Sequence, residues 1–204
     1  MTDLAPLWVG PSTPAVHAPA GASAVFLDRD GVLNEVRGDG TTALSPRTLD
    51  DLRIVPVAPD AAARLRAAGY RLVVVSNQPD IARGAMTRAT AVAVMCRVVD
   101  ALGLDGAYIC PHEGSDGCWC RKPRPGMIEA AIEHLGLDRD GSWLVGDRWV
   151  DVAAGASAGL RTVLVETPYS WDASGGASPH DAVAPTMRAS DVAHAAELIV
   201  EATR

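Results

Sequence analysis

Five short apolar runs set the rhythm of the chain: Ala24–Asp28, Arg71–Ser76, Gly106–Cys110, Ser142–Gly146 and Arg161–Glu166. Each has the length of a strand and lacks a helical period, and the second is rich in β-branched residues, so all five predict buried strands. Between and after them, helical spacing appears over Asp60–Ala68, Thr87–Leu102, Pro125–Leu135, Val150–Ala158 and Ser190–Ala202. Gly69, Gly103 and Gly136 stand where the first three helices should stop, and Ser190 where the last should be capped. Strands alternating with helices predict an α/β fold of three layers around a mostly parallel sheet with right-handed crossovers. Such sheets bind ligands at the carboxyl ends of their strands. Residues 1–23, rich in Pro and Ala, read as an extended arm, either anchored by Trp8 or a loose tail, leaving 24–204 as one domain. Residues 169–185, rich in Ser, Gly and Pro, read as a surface loop.

At 204 residues and 48% hydrophobic content, the chain is long enough and apolar enough for one full core. A formal net charge of −7 argues against nucleic acid and against an anionic membrane, because either needs a broad basic face. An anionic substrate would then be met by a few local cations or by a metal. No run approaches the roughly 20 apolar residues of a membrane span, and the N-terminal residues lack the basic start of a signal peptide. A cytoplasmic monomer acting on a small molecule is the expectation.

Four polar clusters close strands or open helices. Asp28-Arg29-Asp30-Gly31 follows the first strand, Ser76-Asn77-Gln78 the second, and Gly146-Asp147-Arg148-Trp149-Val150-Asp151 the fourth. Arg121-Lys122-Pro123-Arg124-Pro125 leads into a helix. Taken singly, each could be a polar turn or a solvated basic loop. Together they supply a reaction. Asp28, Asp30 and Asp147 offer hard oxygen ligands for Mg²⁺, and Asp28 can attack phosphorus to form an acyl phosphate. Asp30 can protonate the leaving oxygen and then activate water. Ser76 and neighbouring amides can hold phosphate oxygens while Lys122 balances their charge.

The order DRDG, SNQ, RKPRPG and GDRWVD, spread over residues 24–166, resembles the four motifs of the haloacid dehalogenase (HAD) superfamily of phosphatases. That resemblance implies a Rossmann-like sheet of order 3-2-1-4-5, with Asp28 as nucleophile and metal ligand. It also implies that Asp30 binds the metal through its carbonyl, that Asp147 is a metal ligand, and that Asp151 holds Lys122 or a metal-bound water. Each of the intervals 31–75 and 77–121 is filled by a helix and a strand or hairpin, so no cap domain is expected and the site should be open. A short flap near residues 34–56 and the loop before Lys122 would form its roof.

Cys110, His112, Cys118 and Cys120 have the spacing C-x-H-x5-C-x-C. Three thiolates and an imidazole make a closed tetrahedral set of the structural Zn²⁺ type, with no open position for catalysis; Cys96, in a helical apolar stretch, reads as core. A zinc loop directly before RKPRPG is similar to the superfamily subgroup of heptose 1,7-bisphosphate 7-phosphatases and histidinol-phosphate phosphatases. FLDRDGVLN, IARG and CRKPRPGM resemble the heptose enzymes more. That resemblance implies that Arg121 and Lys122 contact phosphate and that Asn77 and Arg83 shape the substrate pocket. Pro79-Asp80 replaces the usual Ser-Gly, Arg148 stands where Lys is usual, the expected Gly-Tyr-Val is absent from residues 35–44, and the zinc loop is short. These departures bear on which substrate enters. A histidinol-phosphate phosphatase and a non-catalytic, zinc-stabilised binding module stand as alternatives.

Overall fold

Every residue of the first apolar run is buried in the computed structural model, which describes residues 5–12, 21–38, 44–171 and 183–203. The run forms β2 (Ser23–Leu27), parallel to β3 (Arg71–Asn77) on one side and β5 (Asp138–Gly146) on the other. β4 (Gly106–Cys110) lies beyond β3 and β6 (Arg161–Val165) beyond β5, also in parallel. The five expected strands therefore stand in the order 3-2-1-4-5. Two more extend the sheet: β1 (Leu7–Val9), antiparallel to β4, and β7 (Met187–Ala189), parallel to β6.

Strand alternation sorts the side chains into two cores. Val25, Leu27, Leu72, Val74, Trp143 and Val145 face α1 (Ala58–Ala67), α2 (Arg88–Leu102) and α5 (Val192–Glu201). Ala24, Phe26, Val73, Val75 and Leu144 face α3 (Gly126–Leu135) and α4 (Trp149–Ser157). Apolar side chains on both faces are what a parallel sheet between two helix layers requires. The helices depart from the expected bounds by one or two residues. One cap differs: α5 is capped by Asp191, whose carboxylate accepts from His194 N at 2.8 Å, not by Ser190. An aspartate nearer the first turn accepts the same orphan N–H and adds a charge favourable to the helix dipole.

The arm reading of residues 1–23 needs correction where the structure describes it; 1–4 and 13–20 lie outside the described residues. Leu7–Val9 is an edge strand, with Val9 in the first core and Trp8 on the opposite face. The Trp8 ring lies 4.9 Å from Tyr108 and 4.7 Å from His134. It rests on Gly106, whose φ is +150° and where a Cβ would come within 2.1 Å of the indole. Ser12 then ties the chain to α2, its N and Oγ lying 2.9 and 2.5 Å from Asp100. Among the described residues no further folded unit is inserted within 31–75 or 77–121, and no helix is long and apolar enough to cross a membrane.

Replacing Gly106 with Ala should cost about 1–3 kcal/mol in denaturant unfolding, through the clash with Trp8 and an unfavourable backbone angle. In a Trp8→Leu background the same substitution should cost less, and a double-mutant cycle would measure that coupling.

Candidate active site

The carboxyl ends of β2, β3 and β5 converge on the loop before α3, which carries Lys122. Its Nζ is buried, 2.7 Å from Asp28 Oδ1, 2.5 Å from Asp151 Oδ1 and 2.7 Å from the Val75 carbonyl oxygen. An ammonium removed from water needs such partners. Burial alone would lower its pKa, but Asp151 and Asp28 outweigh burial and push it up, so Lys122 stays charged. Asp28, Asp147 and Asp151 each bring a carboxylate oxygen within 4.8 Å of the others. Burial, only partly offset by Lys122, and repulsion from Asp151 and Asp30 push Asp28 up to about 6. Burial, then repulsion from Asp28 and Asp151, pushes Asp147 up as well.

Three carboxylates around one ammonium leave two negative charges uncompensated. Asp147 Oδ1 is also buried without a hydrogen-bond partner. Hard oxygen donors, a charge deficit of that size and an unused oxygen fit a hard divalent cation. Such a cation would reverse the upward shifts that mutual repulsion imposes on Asp28 and Asp147.

Asp30 is held differently. Its carboxylate accepts from Arg29 Nε and Nη2 at 3.1 and 2.9 Å, Asn34 Nδ2 at 3.0 Å, Ser45 Oγ at 2.8 Å and Gln78 Nε2 at 2.8 Å. Burial would raise its pKa, but Arg29, followed by Asn34, Ser45 and Gln78, brings it below the ordinary carboxylate value. The Gln78 amide also donates to Ser76 Oγ at 3.0 Å. Ser76 is buried behind the cleft wall, and because its oxygen accepts from Gln78, its hydroxyl hydrogen is left for another acceptor.

The cleft over these groups has a volume of about 300 Å³, with Asp28, Asp30, Lys122 and Asp147 in its lining. Val36, Leu44 and Ser45 line it from the flap; flap residues 39–43 lie outside the described residues. Arg47, Arg83, Arg121 and Arg148 also line it, against Asp80. Arg47 pairs with Asp80 at 2.7 Å, Arg83 with Glu113, and Arg121 donates to the His112 carbonyl at 3.1 Å. Asn77 lines the cleft too, but both ends of its amide are engaged by the Lys122 backbone, Nδ2 to O and Oδ1 from N, each at 3.0 Å. Its evident work is to clamp Lys122.

Sequence reasoning left several residues of this site unassigned: Arg29, Asn34, Ser45 and Gln78 around Asp30, Arg47 and Arg148 along the cleft, and Tyr169. Gln78 was in view inside the SNQ cluster, and Asn34 sits one turn beyond Asp30. Ser45 and Tyr169 carried no local signal. Tyr169 also corrects the surface-loop reading of 169–185: it lines the cleft, whereas 172–182 lie outside the described residues.

The four zinc-loop candidates come together. Cys110 Sγ and Cys120 Sγ each lie 3.7 Å from Cys118 Sγ, and His112 Nδ1 lies 3.6 Å from Cys110 Sγ and 3.4 Å from Cys120 Sγ. A tetrahedral ion with bonds of about 2.3 Å to sulfur and about 2.0 Å to nitrogen implies edges of about 3.8 Å between sulfurs and about 3.5 Å from sulfur to nitrogen. The observed edges fit that tetrahedron, and they are far too long for disulfides. Hydrogen bonding from Cys120, against burial, draws Cys110 down to about 5, and the thiol bonded to it is pushed up in turn. A thiolate is therefore ready for a metal. The cluster is buried and directly precedes Arg121 and Lys122. Cys96 packs against the first core, as expected.

The HAD-hydrolase-like family model matches residues 119–195. A D-glycero-beta-D-manno-heptose-1,7-bisphosphate 7-phosphatase of Pseudomonas aeruginosa is 39% identical over 150 residues, covering 71% of this chain and 82% of that protein. The Pasteurella multocida protein of the same description is 39% identical over 159 residues, covering 71% and 82%. Among solved structures, a D,D-heptose 1,7-bisphosphate phosphatase from B. bronchiseptica, complexed with magnesium and phosphate, aligns with a TM-score of 0.74 at 33% identity. It covers 88% of this chain and 99% of that one. A putative HAD-like phosphatase from Mesorhizobium loti aligns with a TM-score of 0.73 at 30% identity, covering 99% and 96%.

Because the Cys/His cluster anchors the loop that carries Lys122, Cys118→Ser should lower the melting temperature by several degrees, on the order of 2 kcal/mol or more. A transition-metal chelator should reproduce the shift in the unsubstituted protein and add little in the variant. Melting curves indifferent to both treatments would exclude a metal at this cluster.

Proposed function

This chain belongs to the D-glycero-beta-D-manno-heptose-1,7-bisphosphate 7-phosphatase family of HAD-like phosphatases, and from that premise we propose that it removes the 7-phosphate of a heptose 1,7-bisphosphate. It is a phosphoric monoester hydrolase. The observation that carries the reading is the set of Asp28, Asp147 and Asp151 around buried Lys122, an arrangement whose charge fits phosphoryl transfer with one divalent cation.

In the proposed reaction an Asp28 carboxylate oxygen bonds to phosphorus while the bond from phosphorus to the sugar oxygen breaks. Asp30 gives its proton to that leaving oxygen. In the second half, water bonds to phosphorus as Asp30 takes its proton, and the Asp28–phosphorus bond breaks to release inorganic phosphate. Asp30 rests as the carboxylate that the second half needs and must gain a proton before the first. Mg²⁺ would be held by Asp28, Asp147 and the Asp30 carbonyl, and when bound supplies charge neutralisation at the transferring group. Lys122 and the Ser76 hydroxyl would hold phosphate oxygens, with Asp151 keeping Lys122 in place. Zn²⁺ in the Cys110–His112–Cys118–Cys120 set has a structural part, because all four positions are filled by protein.

The cleft supports a bisphosphate in particular. Arg47, Arg83, Arg121 and Arg148 place four guanidinium groups on its lining, which suits a second phosphate beyond the one being cleaved, while Lys122 and Mg²⁺ would offset the carboxylates of the reacting centre.

With Mg²⁺ present, kcat/KM for phosphate release from heptose 1,7-bisphosphate, assayed as both anomers, should exceed that for histidinol phosphate and hexose monophosphates by about tenfold or more. Asp28→Asn should lose about 10³-fold or more while remaining folded. A preference for histidinol phosphate would transfer the assignment to that reaction, full activity in Asp28→Asn would sink the covalent route, and no release from any ester would leave a binding module.

A further inference from the structure

Tyr169 follows β6 in a stretch whose composition suggested a surface loop, yet its hydroxyl lies inside the catalytic cleft. The turn that carries it is fixed. Ser170 is buried, its Oγ accepts from Thr167 N at 2.9 Å, and its carbonyl accepts from Trp149 N at 2.8 Å, at the first residue of α4. The turn therefore moves with the helix whose first residues follow Asp147.

Three elements meet at this point. Gly31 has φ of +83°, and a Cβ there would lie 2.0 Å from Asp147 Oδ2 and 2.8 Å from the Tyr169 hydroxyl oxygen. A residue without a side chain is thus what lets the carboxylate and the phenol share the space above the loop after β2. Tyr169 OH and Asp147 Oδ2 are thereby brought together over Gly31, where the phenol is placed to donate to the carboxylate. Asp147 Oδ1 is buried without a hydrogen-bond partner. A carboxylate constrained at one oxygen presents the other in a fixed direction, which is how groups behind a metal ligand raise its affinity.

We propose that Tyr169 is a positioning residue for the divalent-cation site: by donating to Asp147 Oδ2 it aims Oδ1 at the cation. The inference rests on the assignment of Asp147 as a cation ligand. A phenol is protonated at neutral pH, so Tyr169 is available as a donor.

The test is an electron paramagnetic resonance titration with Mn²⁺ on metal-stripped, full-length protein, comparing the unsubstituted chain with Tyr169→Phe, and melting curves of both in chelator. The variant should bind Mn²⁺ about 10- to 100-fold more weakly, with a metal-free melting temperature within about 2 °C of the parent. Equal affinity in the two proteins would overturn the role of Tyr169 and leave the cation site standing. A larger fall in metal-free melting temperature would overturn it in favour of a packing role. Failure of the unsubstituted protein to bind Mn²⁺ at all would remove the cation site on which the inference rests.

Discussion

The site depends on one buried ammonium. Lys122 sits among Asp28, Asp151 and the Val75 carbonyl, and without it three carboxylates would crowd one dry pocket. With it the cluster still carries excess negative charge; burial first and that imbalance second raise the Asp28 and Asp147 carboxyls, and the imbalance prepares the site for a divalent cation. Phosphoryl transfer needs positive charge fixed in place before the reaction begins, because a site that reorganises during reaction loses most of its electrostatic advantage. Burial of Lys122 supplies that fixity.

A lysine in a loop is difficult to fix, and this chain does it from two sides. Asn77, at the end of β3, grips both backbone polar groups of Lys122, which ties the loop to the sheet. The Cys/His cluster immediately upstream replaces the apolar packing that so short a loop cannot provide, and Arg124 donates to the Cys118 carbonyl from the other side. A metal closed by four protein ligands would contribute folding energy without taking part in chemistry. The cluster's link to function would then be mechanical, through the position of one ammonium group.

The cationic wall of the cleft comes from other elements. The floor of the cleft is supplied by strand ends, whereas Arg47 comes from the flap, Arg83 from the segment after β3, Arg121 from the end of the Cys/His loop and Arg148 from the entry to α4. Loops can change without disturbing the sheet, and the departures from the family pattern, Pro79-Asp80 and Arg148, occur in them. Arg47 and Arg83 are both matched to Asp80, at 2.7 and 3.7 Å, so one family departure orients two cleft cations.

The parallel sheet, the five helices and the Cys/His cluster were legible in the sequence, since each follows from a local pattern: continuous apolar runs, helical period, glycine stops and the close spacing of Cys110, His112, Cys118 and Cys120. The strand order followed from the resemblance to the superfamily, not from any local pattern. Asp28, Asp147 and Lys122 were legible because strand ends and helix entrances of a parallel sheet share one edge. What escaped depends on contacts between segments distant in the chain. β1 is a strand because Trp8 finds a bare Gly106, and nothing within a Pro- and Ala-rich arm announces that partner. Asp30 is held by its chain neighbours Arg29 and Asn34 but also by Ser45 on the flap and Gln78 after β3, and Asp147 meets Tyr169 from after β6. Sequence determined which chemical groups are available and roughly where in the layers they lie. Tertiary structure alone decided which donor meets which acceptor, because hydrogen bonding depends on separations of a few tenths of an ångström that no local pattern encodes.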